Sequence, residues 1–298
     1  MDRRTVTASF PQTLPDLETL VTGVLHLVSP PEIHFQLEEA IESPYGSWER
    51  VADIISQDPN LSARLLQLAN SAFHGQRQID TLSRAASLVG TRALYDLAVG
   101  VAALGVFQRL PEGAIDASRL WRHSLYSALL ARDLARRCHV LHPERLFVAG
   151  LLHEVGALVL GMRLPELMQE AFEAAQGCEE ALAREEAARL GYDHAQVGAR
   201  LLERWHLPRT TTEAIRHHHH PAEAERLTLE IAIVHLADAL ANGVHASWVT
   251  PSAEPMPVTT HPAAWAITGL SPDLVEELHP ELRPEFDAAT EVLRQERR

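Results

Sequence analysis

The chain has 298 residues, 46% of them hydrophobic and 22% charged, with Gly 15 and Pro 18. That length allows one large or two closely joined domains, and the composition excludes a collagenous, low-complexity or largely disordered chain. Lys+Arg 26 against Asp+Glu 40 leaves a formal net charge of −14, which argues against a sequence-independent grip on nucleic-acid phosphates, so no nucleic-acid partner is expected.

Cys138 and Cys178 are too few for a disulfide framework and are not spaced as C-x-x-C, which points to a reducing, cytoplasmic setting and excludes a zinc ribbon. The apolar stretches Leu94–Phe107 and Leu146–Met162 are interrupted by Asp96 and by His153-Glu154, so neither reads as a membrane span. The first residues carry no apolar run behind Arg3 and Arg4, so no secretory signal is expected.

Nearly every segment repeats its apolar residues with a period of 3.6, which predicts an all-α protein. Pro15–Val28 is a short amphipathic stretch closed by Ser29-Pro30-Pro31, and Ile33–Ile41 is a second, ending at Pro44-Tyr45-Gly46. Ser47 offers a cap for Trp48–Gln57, and Asp58-Pro59 restarts a helix that runs to Asn70-Ser71. Thr81 can cap Leu82–Val89, and Gly90-Thr91 separates it from Arg92–Arg109.

Pro111–Asp116 is the clearest linker and sets a subdomain boundary there. Helices are predicted over Ala117–Arg137, Pro143–His153, Pro165–Gln176 and Cys178–Leu190, the last closed by Gly191. Asp193 can cap His194–Trp205; Arg209–His219 lies between Pro208 and Pro221, and Leu227–Asn242 stops at Gly243. Pro251, Pro255, Pro257 and Pro262 mark residues 244–263 as a surface loop, before a final helix at about Pro284–Gln295.

No repeat, dinucleotide fingerprint, P-loop or nucleophile elbow is present. Histidine is abundant at 17, which invites a metal or proton-transfer reading against the plainer one of surface and satisfied core residues. The candidates are His123, His153-Glu154, His194, the run His217–His220 and Asp238, each on a different predicted helix. Spacing alone does not bring them together. Helical geometry turns His153 and Glu154 about 100° apart, so both reach one site only near a helix end, which Gly156 favours. Of four consecutive histidines no more than two can face a common site. Imidazole and carboxylate donors on facing helices suit Zn, Mn, Fe or Ni. His235, three residues before Asp238, reads as a satisfied core histidine or an outer partner of the site. Asn70-Ser71 reads as a turn, and Trp121 and Trp205 as packing residues.

Ser56–Gly75, SQDPNLSARLLQLANSAFHG, followed by AASLVGTRALYDLAVG from Ala85, resembles the first half of the HDOD family, the HD-related output domain of bacterial signalling. LWRHSLYSALLARDLA, FVAGLLHEVGALVL, YDHAQVGARLLERWHLP, AIRHHHHP and IVHLADALANG follow in that family's order. The resemblance covers about Pro31–Gly243. It implies an HD-like helical bundle with a packed N-terminal helical subdomain: residues 1–30 an N-terminal helical segment, 31–111 and 112–243 the two parts of the domain, and 244–298 a loop with a C-terminal helix.

HDOD domains are similar to HD and HD-GYP phosphohydrolases, and the resemblance implies a metal-ligand set of His123, His153, Glu154, His194, His218, His219 and Asp238. Three departures stand against an active phosphohydrolase. Glu154 replaces the bridging aspartate, Ala157 stands where a lysine is frequent, and after His219 the chain reads His220-Pro221-Ala222-Glu223 with no GYP-type segment. The resemblance therefore implies a cytoplasmic regulatory module acting through a signalling partner, with or without a bound divalent metal and without turnover. The alternative is a metal-dependent phosphohydrolase acting on a nucleotide or cyclic dinucleotide. The segment before Pro31 is too short for a receiver domain, so none is expected there and input is expected from another protein, a ligand or the N-terminal helices.

Overall fold

The computed structural model describes residues 14–25, 48–57, 81–90, 115–244 and 258–295, with pieces at 36–37, 39–40, 61–62, 65–66, 69–70, 94–95, 97–98, 101 and 248–249. The described residues are helical and contain no strand, as the 3.6-residue stripes require. Near the N-terminus lie α1 (Leu17–Leu25), α2 (Trp48–Ser56) and α3 (Leu82–Val89). The Thr81 hydroxyl caps α3 by accepting from the Arg84 N–H. Most of the helices expected over Arg92–Arg109, Ile33–Ile41 and Asp58–Ser71, and most of the linker Pro111–Asp116, lie outside the described residues.

The rest of the bundle is built on α4 (Ala117–Arg137), whose first N–H groups are capped by the Asp116 carboxylate. It is followed by α5 (Pro143–Leu152), α6 (Val155–Arg163), α7 (Pro165–Ala175), α8 (Glu179–Leu190), α9 (His194–Arg204), α10 (Arg209–Arg216) and α11 (Leu229–Asn242). α4 packs between α5 and α11; α9 lies across α6 and α10, and α10 closes against α5 and α11. Leu120, Leu125, Leu129 and Leu134 of α4 are buried in one continuous core with Leu151, Leu201, Ile215 and Leu236 from its neighbours. α1 docks on this bundle: Glu18 pairs with Arg200 at 2.8 Å and with Arg204, and the Tyr192 hydroxyl donates to the Pro15 carbonyl at 2.7 Å.

Several boundaries differ from those the sequence predicts. The helix expected over Pro143–His153 ends at Leu152, and the apolar residues beyond it, to which no helix was assigned, form α6 after a turn at His153-Glu154. Gly156, in the first turn of α6, lets that helix approach α9 closely. A Cβ there would lie 1.9 Å from the His194 carbonyl oxygen and 2.5 Å from the Gly198 nitrogen, so α6 and α9 meet backbone to backbone. Pro143–Arg163 as a whole has the length and apolarity of a membrane span, but most of it is buried inside the bundle. α10 ends at Arg216 rather than His219.

Toward the C-terminus, the end of the expected loop 244–263 turns into α12 (Pro262–Thr268), which packs on α11. The last helix, α13 (Val275–Gln295), begins at Val275 rather than Pro284 and contains both Pro280 and Pro284. These prolines are exposed, so the carbonyls they leave unbonded face water, while Leu278, Leu282 and Phe286 form a buried stripe at four-residue spacing against α4. Arg132, buried in α4, holds the helix through Glu285 at 2.6 Å.

Gly156→Ala is expected to destabilise the fold by about 3 kcal/mol or more, because backbone atoms on α9 cannot yield as a side chain would. Chemical denaturation followed by circular dichroism measures this, and an unchanged midpoint would contradict the close approach.

Candidate metal centre

Five elements aim polar side chains at one point in the apolar core. His123 comes from the middle of α4, His153 and Glu154 from the turn between α5 and α6, and His194 from the first position of α9. His218 and His219 come from the turn that follows α10, and Asp238 from α11. All seven residues expected to form the site meet here, and each is buried. His153 and Glu154 reach the same site because the helix breaks at them. His218 and His219 do so because α10 has already ended, which leaves His217 as its cap and His220 half-buried outside the cluster.

The donors fall into two groups. His123, His153, Glu154 and Asp238 form one, and Glu154, His194, His218 and His219 the other; within each, one donor atom per residue lies within 4.8 Å of the rest. Glu154 belongs to both. In the first group His123 Nε2 stands 3.1 Å from His153 Nε2 and 3.1 Å from Asp238 Oδ1, and His153 Nε2 is 3.5 Å from Glu154 Oε1. In the second, His194 Nε2 is 3.2 Å from Glu154 Oε2 and 2.7 Å from His219 Nε2.

A divalent ion fits these distances. Two donors about 2.1 Å from a shared ion, at tetrahedral or octahedral angles, lie roughly 3.0–3.4 Å apart. The buried polar atoms agree: neither oxygen of Glu154 nor Nε2 of His218 has a hydrogen-bond partner, and a buried carboxylate without one is costly unless a cation offsets it.

The imidazoles are held with Nε2 toward the centre by what binds their other nitrogen. His153 Nδ1 donates to the Gly150 carbonyl at 2.8 Å and His218 Nδ1 to the Ile215 carbonyl at 2.6 Å. Glu186 grips His194 twice, its Oε2 accepting from the backbone N–H at 2.8 Å and from Nδ1 at 2.6 Å. Asp193 caps α9 through the Gln196 N–H, as its position before His194 predicts. His235 stands outside the donor set: its Nδ1 donates to the His218 carbonyl at 2.6 Å and its Nε2 accepts from the His261 N–H at 2.8 Å. Both ring nitrogens are thus used to fix the turn that carries His218.

Three residues of the site escaped the sequence reading. Glu179 and Glu186 on α8 are buried, and Asn242 on α11 donates to Glu179 Oε2 at 2.7 Å and to Asp238 Oδ1 at 3.2 Å. A signal existed: Glu179, Leu182, Ala183 and Glu186 recur at helical spacing on one buried face of α8, placing two carboxylates on an apolar stripe.

The electrostatics follow from burial among these partners. Burial opposes the charged form of Glu154, but His194, His218 and His153 overcome it and hold the carboxyl at about 2. Burial likewise opposes His194 protonation, yet Glu186 and Glu154 raise it to about 10. Asp238 is held well below its ordinary range, against burial, by bonds from His123 and His153. Burial, then Asp238 and Glu154, push Glu179 well above it. Burial beside His218 and His194 lowers His219.

A helical bundle whose core carries a histidine and carboxylate cluster of this layout belongs to the HD-like proteins. The chain matches the HDOD domain over residues 27–221 and is a member of the HDOD family. A solved HDOD domain protein from Geobacter sulfurreducens is similar with a TM-score of 0.68 at 25% identity, covering 92% of this chain and 98% of its own. A protein from Shewanella amazonensis SB2B, provisionally named a phosphohydrolase, is similar in fold with a TM-score of 0.68 at 23% identity, over 91% of this chain and 97% of its own. An uncharacterised protein of Treponema pallidum (strain Nichols) is 29% identical over 218 residues, which is 70% of this chain. The match spans 41% of that relative's length.

In metal-free protein, the proton on His194 sets an alkaline limit to stability. Its folded value of about 10 lies above the ordinary 6.5, so its contribution is complete below 6.5 and is lost as pH rises through 10. We expect the unfolding free energy in chelator to fall over that window by up to about 1.4 kcal/mol per pH unit. Glu186→Gln should flatten the fall, and denaturant midpoints from pH 6 to 10 compare the two.

Proposed function

We propose that this chain is a cytoplasmic regulatory output module of the HDOD type. It holds divalent metal in the bundle core and acts by binding a signalling protein or ligand rather than by turnover. Residues 31–243 form its HDOD unit in this reading, with 1–30 as an N-terminal helical segment and 244–298 as a proline-containing loop and C-terminal helix. The metal ligands are His123, His153, Glu154, His194, His218, His219 and Asp238, and Fe, Mn, Zn or Ni suits such imidazole and carboxylate donors. A metal there would offset the buried carboxylates and, with a coordination position open, would acidify a bound water.

The observation that carries the reading is enclosure. His153, Glu154, His194 and His218 are 0% exposed, and His219, the most accessible of the seven, is 8% exposed. A nucleotide or cyclic dinucleotide needs its phosphate in contact with such a centre, and these donors offer it no face. The means of holding a phosphate are also reduced: Ala157 replaces the lysine of related phosphohydrolases, and the chain contains no lysine anywhere.

Phosphohydrolase activity is the second reading, favoured by one observation. Glu154 is shared between two donor groups, an arrangement suited to a pair of ions clamping a phosphoryl oxygen.

Elemental analysis of untagged protein, with hydrolysis assays on cyclic dinucleotides, nucleotides and a generic phosphodiester in added Mn, Fe or Mg, separates the two readings. We expect bound metal and no turnover. His153→Ala should lower metal content and destabilise the protein by about 1–3 kcal/mol through the partners it leaves unsatisfied, and Glu154→Asp should not create activity. Metal-dependent hydrolysis by the unaltered protein, abolished by His153→Ala and raised by Glu154→Asp, would establish the enzyme instead.

A further inference from the structure

Glu179 has no counterpart in the ligand set that the resemblance implies, and it lies at the first turn of α8, a helix that supplies no other donor to the two groups. Its side chain nevertheless turns inward and is 3% exposed. Oε2 is 3.8 Å from His123 Nε2, and Oε1 has no hydrogen-bond partner. The Asn242 amide nitrogen reaches both Glu179 Oε2, at 2.7 Å, and Asp238 Oδ1, at 3.2 Å. One donor thereby holds two carboxylates side by side, and both face the same imidazole of His123.

We propose that Glu179 is a further metal ligand, joining the first donor group on the side of His123 and Asp238. This rests on the metal reading above. Two donors about 2.1 Å from one ion can be at most about 4.2 Å apart, so the separation of Glu179 from His123 lies within a single coordination sphere. Oε2, the oxygen that faces His123, is also the one Asn242 holds, and Oε1 is buried without a partner, so the carboxylate is fixed beside the donor group by an outer hydrogen bond with acceptor capacity left for an ion.

The two positions then differ in chemistry. One offers two imidazoles and three carboxylates, the other three imidazoles and the shared Glu154. Carboxylate favours the harder ions such as Mn, imidazole the borderline Zn and Fe. Glu179 also fills coordination that water would otherwise take at the first position, which accords with a metal held for structure or sensing.

Glu179→Gln tests this in the full chain, since glutamine keeps the size and an acceptor for Asn242 but removes the charge. Mn(II) is titrated into metal-free protein, with free Mn(II) followed by electron paramagnetic resonance. Wild-type protein should bind two ions; the variant should bind one with unchanged affinity and the second at least roughly tenfold more weakly. Glu180→Gln, on the exposed side of the same helix, should leave both unchanged. Thermal unfolding in chelator guards against a structural effect: the variant should melt no lower than wild type, and should gain less than wild type when Mn(II) is added.

Equal Mn(II) stoichiometry and affinity in wild type and Glu179→Gln would overturn the ligand role and leave the metal reading intact. A variant that melts lower in chelator but gains as much from Mn(II) would overturn it too, leaving Glu179 as a support for Asn242. Wild-type protein that binds no Mn(II), Zn(II) or Fe(II) would remove both readings.

Discussion

The structure is organised around a carboxylate that cannot stand alone. Glu154 is fully buried, with neither oxygen hydrogen-bonded, between His153 on one side and His194 and His218 on the other. An isolated charge in such a place would be prohibitive. It is sustained because imidazoles from three segments converge on it, and the path of the chain is arranged to bring them there. The break between α5 and α6 points Glu154 inward, and the missing side chain at Gly156 lets α9 come close enough to deliver His194.

Around that cluster the protein is conventional. Leucine, alanine and valine from α4, α5, α9 and α11 form one core on all sides, and the polar groups inside it are held by outer contacts rather than by solvent. Glu186 fixes His194, two backbone carbonyls fix His153 and His218, and His235 ties the turn at 217–219 to the start of α12. In the proposed reading, these outer contacts suit a centre that would hold a metal for structure or sensing. They suit less well a site that must admit a substrate, bind its phosphates and release product. The C-terminal helix adds to them by clamping the back of α4, the helix that carries His123, through Glu285 to Arg132 and the Tyr126 hydroxyl to His279.

Much of this was legible in the chain. The caps Thr81 and Asp193 stand where their helices begin, because a side chain that satisfies the first N–H groups is a local requirement. The seven candidate residues also stood out, but through the order of family motifs rather than through spacing. What was missed was missed for identifiable reasons. α6 was hidden because its residues are apolar on every face, so no periodicity marks them off from the helix before. The start of α13 is hidden by Pro280 and Pro284, residues disfavoured in a helix interior that exposure makes tolerable here. Glu179 and Glu186 looked like ordinary charges on a helix rich in glutamate.

The sequence by itself determined the local terms: helix after helix with their caps, a core-forming stripe on each, and a set of histidines and carboxylates too evenly scattered to be related by spacing. Those follow from interactions within a few residues along the chain. Only the tertiary structure decided that His123, His153, Glu154, His194, His218, His219 and Asp238 form two groups sharing one carboxylate, that Glu179 and Asn242 join them, and that His235 does not. Convergence of residues up to 115 positions apart, His123 to Asp238 at 3.1 Å, depends on how the helices pack. Packing is set by contacts that are local in space and remote in sequence.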